Sequence, residues 1–342
     1  MSNLQPTYGN FVLKGIVGGT QSDKFYSEGT SNGNAWRRLN FSIKTNDNAS
    51  VYVEMMGSKN EKVKFVDASD RKNKKEYFVP WADRFKERTD KAEIFMASKV
   101  GLIKDEAGKN KVLSLTQFDA VECIKKHLKE GDSIYVRGSM QFSVYEGKGQ
   151  VKYIIQQIYH TSEALDFSAE GYVPEASFNQ DIVYLESEYD SETNKTAINT
   201  NIIYKSKGEI CVMPYMFFIN HEKYRGDEDK EKLLQTLKDS FENLSYGSTI
   251  KVNGNINIYV EKVESEVEED SIPVSFGGFQ AKGQESYVRG TTIRELEITG
   301  GDGSTLIDAR YSEEDFVPKE SPFSSDSVID ISDDEENDSL PF

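Results

Sequence analysis

Apolar and polar residues alternate with a period of two over much of this chain, the pattern of strands with one buried face. Residues 8–18, 35–45 and 49–57 carry it first, the last two joined by the turn-forming run Asn46-Asp47-Asn48. Residues 91–100 repeat it after a long charged stretch, and 133–145 and 150–160 follow. Between these groups the period lengthens. Over 116–129, Phe118, Val121, Cys123, Ile124 and Leu128 fall on one helical face. Thr116 stands where a cap belongs and Gly131 where a helix ends. The second half repeats the plan. Strands are expected at 182–188, 196–205 and 209–219, then a helix at 227–244 with acids in its first turn, then strands at 248–260 and 286–299.

The two halves also match residue by residue in one place. Gly131-Asp-Ser-Ile-Tyr-Val-Arg-Gly138 parallels Gly247-Ser-Thr-Ile-Lys-Val-Asn-Gly254, each behind a helix. Gly138 and Gly254 fall inside strand patterns, where glycine marks a bulge or sharp bend. Such bends curl a sheet into a barrel. A fainter match pairs residues 39–43 with 198–202. The two matches have different offsets, 159 and 116 residues, so the first copy holds a large insertion, expected within 58–114. A barrel of about five strands with a helix between the third and fourth is the OB-fold plan. The expected fold is therefore mainly β, with two tandem OB-fold barrels, each with a helix before its fourth strand. They occupy residues 1–165, which hold the insertion, and 166–300. An acidic tail at 301–342 has too little to bury and is expected to be disordered.

Charge changes the picture only when its distribution is read. The chain has 342 residues and a net charge of −17, which argues superficially against nucleic acid. Residues 1–165 carry 26 Lys and Arg against 20 Asp and Glu; residues 166–300 carry 13 against 25; residues 301–342 carry 2 against 13. A mildly basic first module with a strongly acidic end suits an anion-binding domain accompanied by a separate acidic tail. No apolar run nears the roughly 18 residues that span a bilayer. The start, Met-Ser-Asn-Leu-Gln-Pro, lacks the basic and apolar stretches of a secretory signal. A cytoplasmic protein without a membrane partner is expected. Cys123, Cys211 and three histidines show no metal-ligand spacing. Phosphate-cradling glycine loops and nucleophile elbows are missing too. Glu186 and Glu188 share a strand face, as a two-metal nuclease would need, but a solvated strand edge explains them better. The expectation is a protein that is not an enzyme and carries no cofactor or metal.

Asp333-Asp334-Glu335-Glu336-Asn337-Asp338-Ser339-Leu340-Pro341-Phe342 places an apolar tip behind a run of acids. A terminal Phe offers a ring and a carboxylate to a basic pocket on another protein. This segment resembles the acidic tip of bacterial and phage single-stranded DNA-binding proteins, with Leu340 where Ile is usual. Gly33-Asn-Ala-Trp36-Arg-Arg-Leu-Asn-Phe-Ser-Ile and Gly131-Asp-Ser-Ile-Tyr-Val-Arg-Gly also look like the second and fourth strands of those OB domains. Two modules in one chain depart from the common bacterial form and point to a phage-type protein in a host cytoplasm. The resemblance implies non-specific binding of single-stranded DNA in replication, recombination and repair. It also implies recruitment of partner enzymes through Asp338, Leu340, Pro341 and Phe342.

Non-specific binding of single strands needs aromatic faces for bases and cations for phosphates. In the second strand, Leu39, Phe41 and Ile43 face the core, which leaves Trp36, Arg38 and Lys44 on the polar face. Tyr52 falls beside them on the next strand. The insertion adds Arg71, Lys72, Lys74 and Lys75, followed by Trp81. Tyr135 and Arg137 share the outer face of a later strand. Each has a plainer reading: Trp36 covering a barrel end, Trp81 packing the insertion onto the barrel, the lysines as a solvated loop. The rival function is an acidic adaptor or DNA mimic that occupies basic sites on host enzymes.

Overall fold

The computed structural model describes residues 4–67, 69, 74–88, 90–145, 148–206, 208–260 and 292–317. Its first strand, β1 (Gly9–Gly18), buries Phe11, Leu13 and Val17 on one side, as period-two alternation requires. β2 (Tyr26–Ser31), β3 (Asn34–Lys44) and β4 (Ser50–Ser58) follow as an antiparallel meander. The insertion contributes β5 (Lys62–Asp67), β6 (Lys75–Pro80) and β7 (Glu93–Ile94), which form their own three-stranded sheet. It continues in the hairpin of β8 (Ser98–Lys104) and β9 (Asn110–Leu115). Helix α1 (Gln117–His127) leads to β10 (Ser133–Tyr145) and β11 (Lys148–His160). Thr116 caps α1 as expected, its hydroxyl accepting from the Asp119 amide. The second half runs β12 (Glu175–Asp190), β13 (Lys195–Ser206), β14 (Glu209–Asn220), α2 (Glu228–Glu242), β15 (Thr249–Val260) and β16 (Thr292–Ile307).

Five strands close a ring in each half. The first runs β1–β3–β4–β11–β10 and returns to β1. Every step is antiparallel except β4 to β11. The second runs β12–β13–β14–β16–β15 and returns to β12, with the parallel step again at the corresponding place, β14 to β16. The helix precedes β10 in one ring and β15 in the other.

The repeated glycines sit in matching surroundings. The Gly131 amide donates to the Val17 carbonyl at 3.0 Å, and the Gly247 amide to the Tyr184 carbonyl at 2.8 Å. Val17 and Tyr184 return the bond to the carbonyls of Asp132 and Ser248. Both glycines have positive φ, +83° and +76°, a conformation that costs glycine little and other residues more. Gly138 faces Phe11 and Gly254 faces Phe178, each at a register shift in its ring. A Cβ at Gly138 would lie 1.8 Å from the Ile154 carbonyl oxygen, and at Gly254 1.7 Å from that of Glu297.

The rings are joined rather than strung together. β1 pairs antiparallel with β12, Phe11 directly opposite Phe178. Thirteen strands thus share one sheet, and one apolar core runs through both halves, across the boundary expected after residue 165. The last strand also runs past residue 300, where the second module is expected to end. β16 continues through Gly300-Gly301-Asp302-Gly303 to Ile307, because the extra residues are taken up as a register shift against β15 instead of ending the strand. Beyond it, Tyr311 is buried with Leu4, Val183 and Ile203. The part of the expected tail from 318 to 342 lies outside the described residues.

The insertion is tied to α1. Arg84 donates to Asp119 through Nε at 2.8 Å and Nη2 at 2.9 Å, and both side chains are mostly buried. The Arg84 guanidinium stacks on Trp81 at 4.2 Å, and Trp81 meets Phe118 edge-on.

Two outcomes follow from this packing. Gly138→Ala and Gly254→Ala should each lower stability by about 1–3 kcal/mol, read as a shifted urea midpoint, because a backbone carbonyl must move to admit the methyl. Arg84→Met should cost about 3 kcal/mol by leaving Asp119 unpaired. Amide exchange in β5 and β6 should then rise before that of the rings.

Candidate nucleic-acid interface

The outward face of β2, β3 and β4 is set by register. Trp36 lies between Gly29 and Ser58, Arg38 between Ser27 and Met56, and Ser42 opposite Tyr52. The indole leans over Gly29, where a Cβ would come within 2.9 Å of its ring, so only glycine leaves that space open. Trp36 is half-buried, whereas Tyr52 stands out of the sheet, 68% exposed. Lys44 is exposed at the far end of β3, about 26 Å from Trp36 along the strand. Ser42 between them is buried and donates to the Gly18 carbonyl, where β1 crosses.

Glu54 sits at the centre of this face. It accepts from Arg38 and lies 3.7 Å from Lys152 of β11. One carboxylate therefore holds two of the face's cations. Arg37 points the other way, over Phe118 and against Glu122. Nearby, the Tyr26 phenol is pushed up to about 12 by partial burial and by its hydrogen bond to Glu28.

Beside the face, β4 and the insertion enclose a cleft of roughly 560 Å³. Met56, Lys62, Lys64, Phe78, Phe95 and Met96 line it, with Trp81 at its wall. Trp81 packs the insertion onto α1, the plainer of its two readings, and it also lines the cleft. Lys74 and Lys75 are exposed at the distal end of the β5–β6 hairpin, away from the cleft lining. Arg71 and Lys72 lie outside the described residues. A second groove, roughly 610 Å³, runs between the rings past Tyr8, Asn10, Gln141, Lys152, Gln156 and Lys205. Met96 lines both hollows.

Tyr135 and Arg137 are not brought to this surface. Tyr135 pairs with Lys14 and Tyr159 and lines a hollow under the 161–175 connection. Arg137, on the same outer side of β10, lies opposite Val12 and Gln157. The tip residues Asp338, Leu340, Pro341 and Phe342 lie outside the described residues. Sequence reasoning missed Phe78, Phe95, Met96 and Lys152. The alternation Lys62-Val63-Lys64-Phe65 and the pair Phe95-Met96 in a polar stretch were the available signals.

The matching face of the second ring carries Lys195, Asn199, Met216 and Phe218. Its lysines are engaged by acids. Lys195 donates to Glu295 at 2.8 Å, and Lys223 to the buried Glu297 at 2.8 Å. Burial alone would lower the Lys223 ammonium, but the hydrogen bond and charge of Glu297 outweigh it and raise its pKa. Asn255 and Asn257 add their amides to the same carboxylate oxygen.

No group of metal-ligating side chains occurs among the described residues. No helix among them is long and apolar enough to cross a membrane. No curated protein matches the chain in sequence. Among solved structures, a wild-type single-stranded DNA-binding protein from Thermus aquaticus is similar at 10% identity and a TM-score of 0.33, over 75% of this chain and 87% of that one. That overlap is too loose to bear on function. The family model described as YorF matches residues 103–328, well over half of the sequence, from β8 through the second ring. The chain belongs to the YorF family.

Proposed function

We propose that the chain binds single-stranded DNA without sequence preference, and that its rings are two OB-type modules, the first carrying the main binding face. The outward face of β2, β3 and β4 carries this reading: Trp36 over Gly29, exposed Tyr52, and Arg38, Lys44 and Lys152 around them. Ring faces stack any base and cations follow any phosphate, so neither contact needs a particular base edge. The role is binding and protection, not catalysis. Recruitment of replication, recombination and repair enzymes by Asp338, Leu340, Pro341 and Phe342 belongs to the same proposal and rests on the sequence resemblance. So does the setting of a phage-encoded protein in a host cytoplasm. The acid-held lysines of the second ring favour one rival, an acidic adaptor or DNA mimic.

A fluorescence titration separates them. Oligo(dT) should quench Trp36 while a matched duplex does not. Trp36→Ala should weaken oligo(dT) binding about 5- to 100-fold, and Trp36→Phe much less. The logarithm of affinity should fall with that of salt at a slope near −0.7 per phosphate contacted. Absence of oligo(dT) binding at low salt would move support to the adaptor.

Glu54→Gln should tighten oligo(dT) binding about two- to fivefold at low salt, the scale of a partly exposed ion pair, by releasing Arg38 and Lys152. It should also steepen the salt dependence. Weaker binding would mean that Glu54 aims those cations instead of masking them.

A further inference from the structure

The cleft beside the insertion and the groove between the rings share a corner, Met96. We propose that they form one continuous track for an unpaired nucleic-acid strand, turning at Phe95 and Met96. This rests on the single-strand reading above and extends it from one sheet face to a path.

Three observations support the track. First, in a chain with 58 Asp and Glu, no acid among the described residues lines either hollow. Lys62 and Lys64 line one, Lys152 and Lys205 the other, and this charge pattern fits a polyanion. Lys64 reaches Glu76 at 2.7 Å, an acid on the same hairpin face as Phe78 but not among the lining residues, and the Lys64 ammonium lies over the Phe95 ring. Second, aromatic and thioether groups stand exposed at intervals along the path: Phe78 at 65%, Phe95 at 49%, Met96 at 71% and Tyr8 at 68%. Exposed rings of this kind offer faces for bases, and no core covers them. Third, Met96 has φ +54°, a left-handed conformation that is uncommon for a non-glycine residue and places its side chain at the corner. The path also joins the Trp36 face directly, since Met56 and Ser58 line the cleft and are the β4 partners of Arg38 and Trp36.

The test uses the full chain and fluorescein-labelled oligo(dT), followed by anisotropy, with a long oligonucleotide and one just long enough to cover the Trp36 face. Phe78→Ala with Phe95→Ala should weaken the long oligonucleotide about 5- to 100-fold and the short one much less. Met96→Asp puts an acid at the shared corner in a conformation Asp tolerates, and should weaken the long oligonucleotide at least fivefold. The neutral Met96→Asn loses the thioether but adds no charge, and should weaken the long oligonucleotide clearly less than Met96→Asp does. With 5-iodouracil in the long oligonucleotide, photocrosslinks should appear at Phe95 or Phe78 and at Tyr8. The track is overturned if these variants bind both lengths as the wild type does and the crosslinks are missing, while Trp36→Ala still weakens binding; the single-strand reading would then survive without it. Failure of the wild type to bind either length at low salt would overturn both.

Discussion

The joint between β1 and β12 is the constraint on which the rest depends. β1 gives one edge to β10 along residues 9–16. It divides the other: residues 9–14 pair with β12, and 16–18 turn to β3 to close their own ring. Gly15 lies at the change of partner, where a Cβ would come within 2.1 Å of the Lys44 carbonyl oxygen. β12 divides its edge in the same way, 175–180 to β1 and 183–190 to β13. Each ring therefore lends the start of its first strand to the other. An edge that would otherwise template stray pairing is used inside the chain, and backbone hydrogen bonds fix the orientation of the two rings.

That orientation creates surfaces neither ring has alone. With the rings held edge to edge, the β10–β11 hairpin crosses onto the second ring, Phe142 edge-on to Tyr215 and Gly149 against Met213. Tyr8, at the entry to β1, then shares a groove with Lys152 of β11 and Lys205 of β13. The insertion is placed by a different bond, Arg84 to Asp119 at the start of α1. The helix itself approaches closely because Gly57 has no side chain: a Cβ there would lie 2.2 Å from the Phe118 amide nitrogen. The cleft thus depends on β4, α1 and the insertion being locked together.

Local pattern made much of this legible. The repeated glycine units, the helix before the fourth ring strand and the inward set Leu39, Phe41 and Ile43 all follow from period and turn chemistry. The joint did not. In Glu175–Asp181 only Phe178 is large and apolar, so alternation gives no strand there; the segment becomes one because β1 and β15 pair with both its edges. Gly300-Gly301-Asp302-Gly303 carries every sign of a break, yet pairing with β15 carries the strand through it. Within the insertion, β5 and β6 alternate only briefly among charged residues and are held by a small core of Val63, Phe65 and Val79. Of the candidate face, the common side of Trp36, Arg38 and Tyr52 was legible because strand alternation fixes it. Tyr135 and Arg137 satisfy the same rule, but a closed ring has an outer face all round, and alternation cannot say which part of it meets a ligand.

Electrostatics divides the two rings where topology makes them alike. At 0.1 M salt, exposed charges more than about 10 Å apart are largely screened. The net charge of −17 therefore says little about any one face, and the nearest few groups decide. On the first ring's face one carboxylate, Glu54, is shared between Arg38 and Lys152, with Lys44 beyond its reach. On the corresponding face of the second ring Lys195 is held by Glu295, and beside it, in the turn after β14, Lys223 is held by Glu297. The same strand order thus presents an excess of cations in one copy and a balanced set in the other. The proposed phosphate contacts accordingly belong to the first ring and the grooves beside it, and an acidic chain can carry a basic face without contradiction.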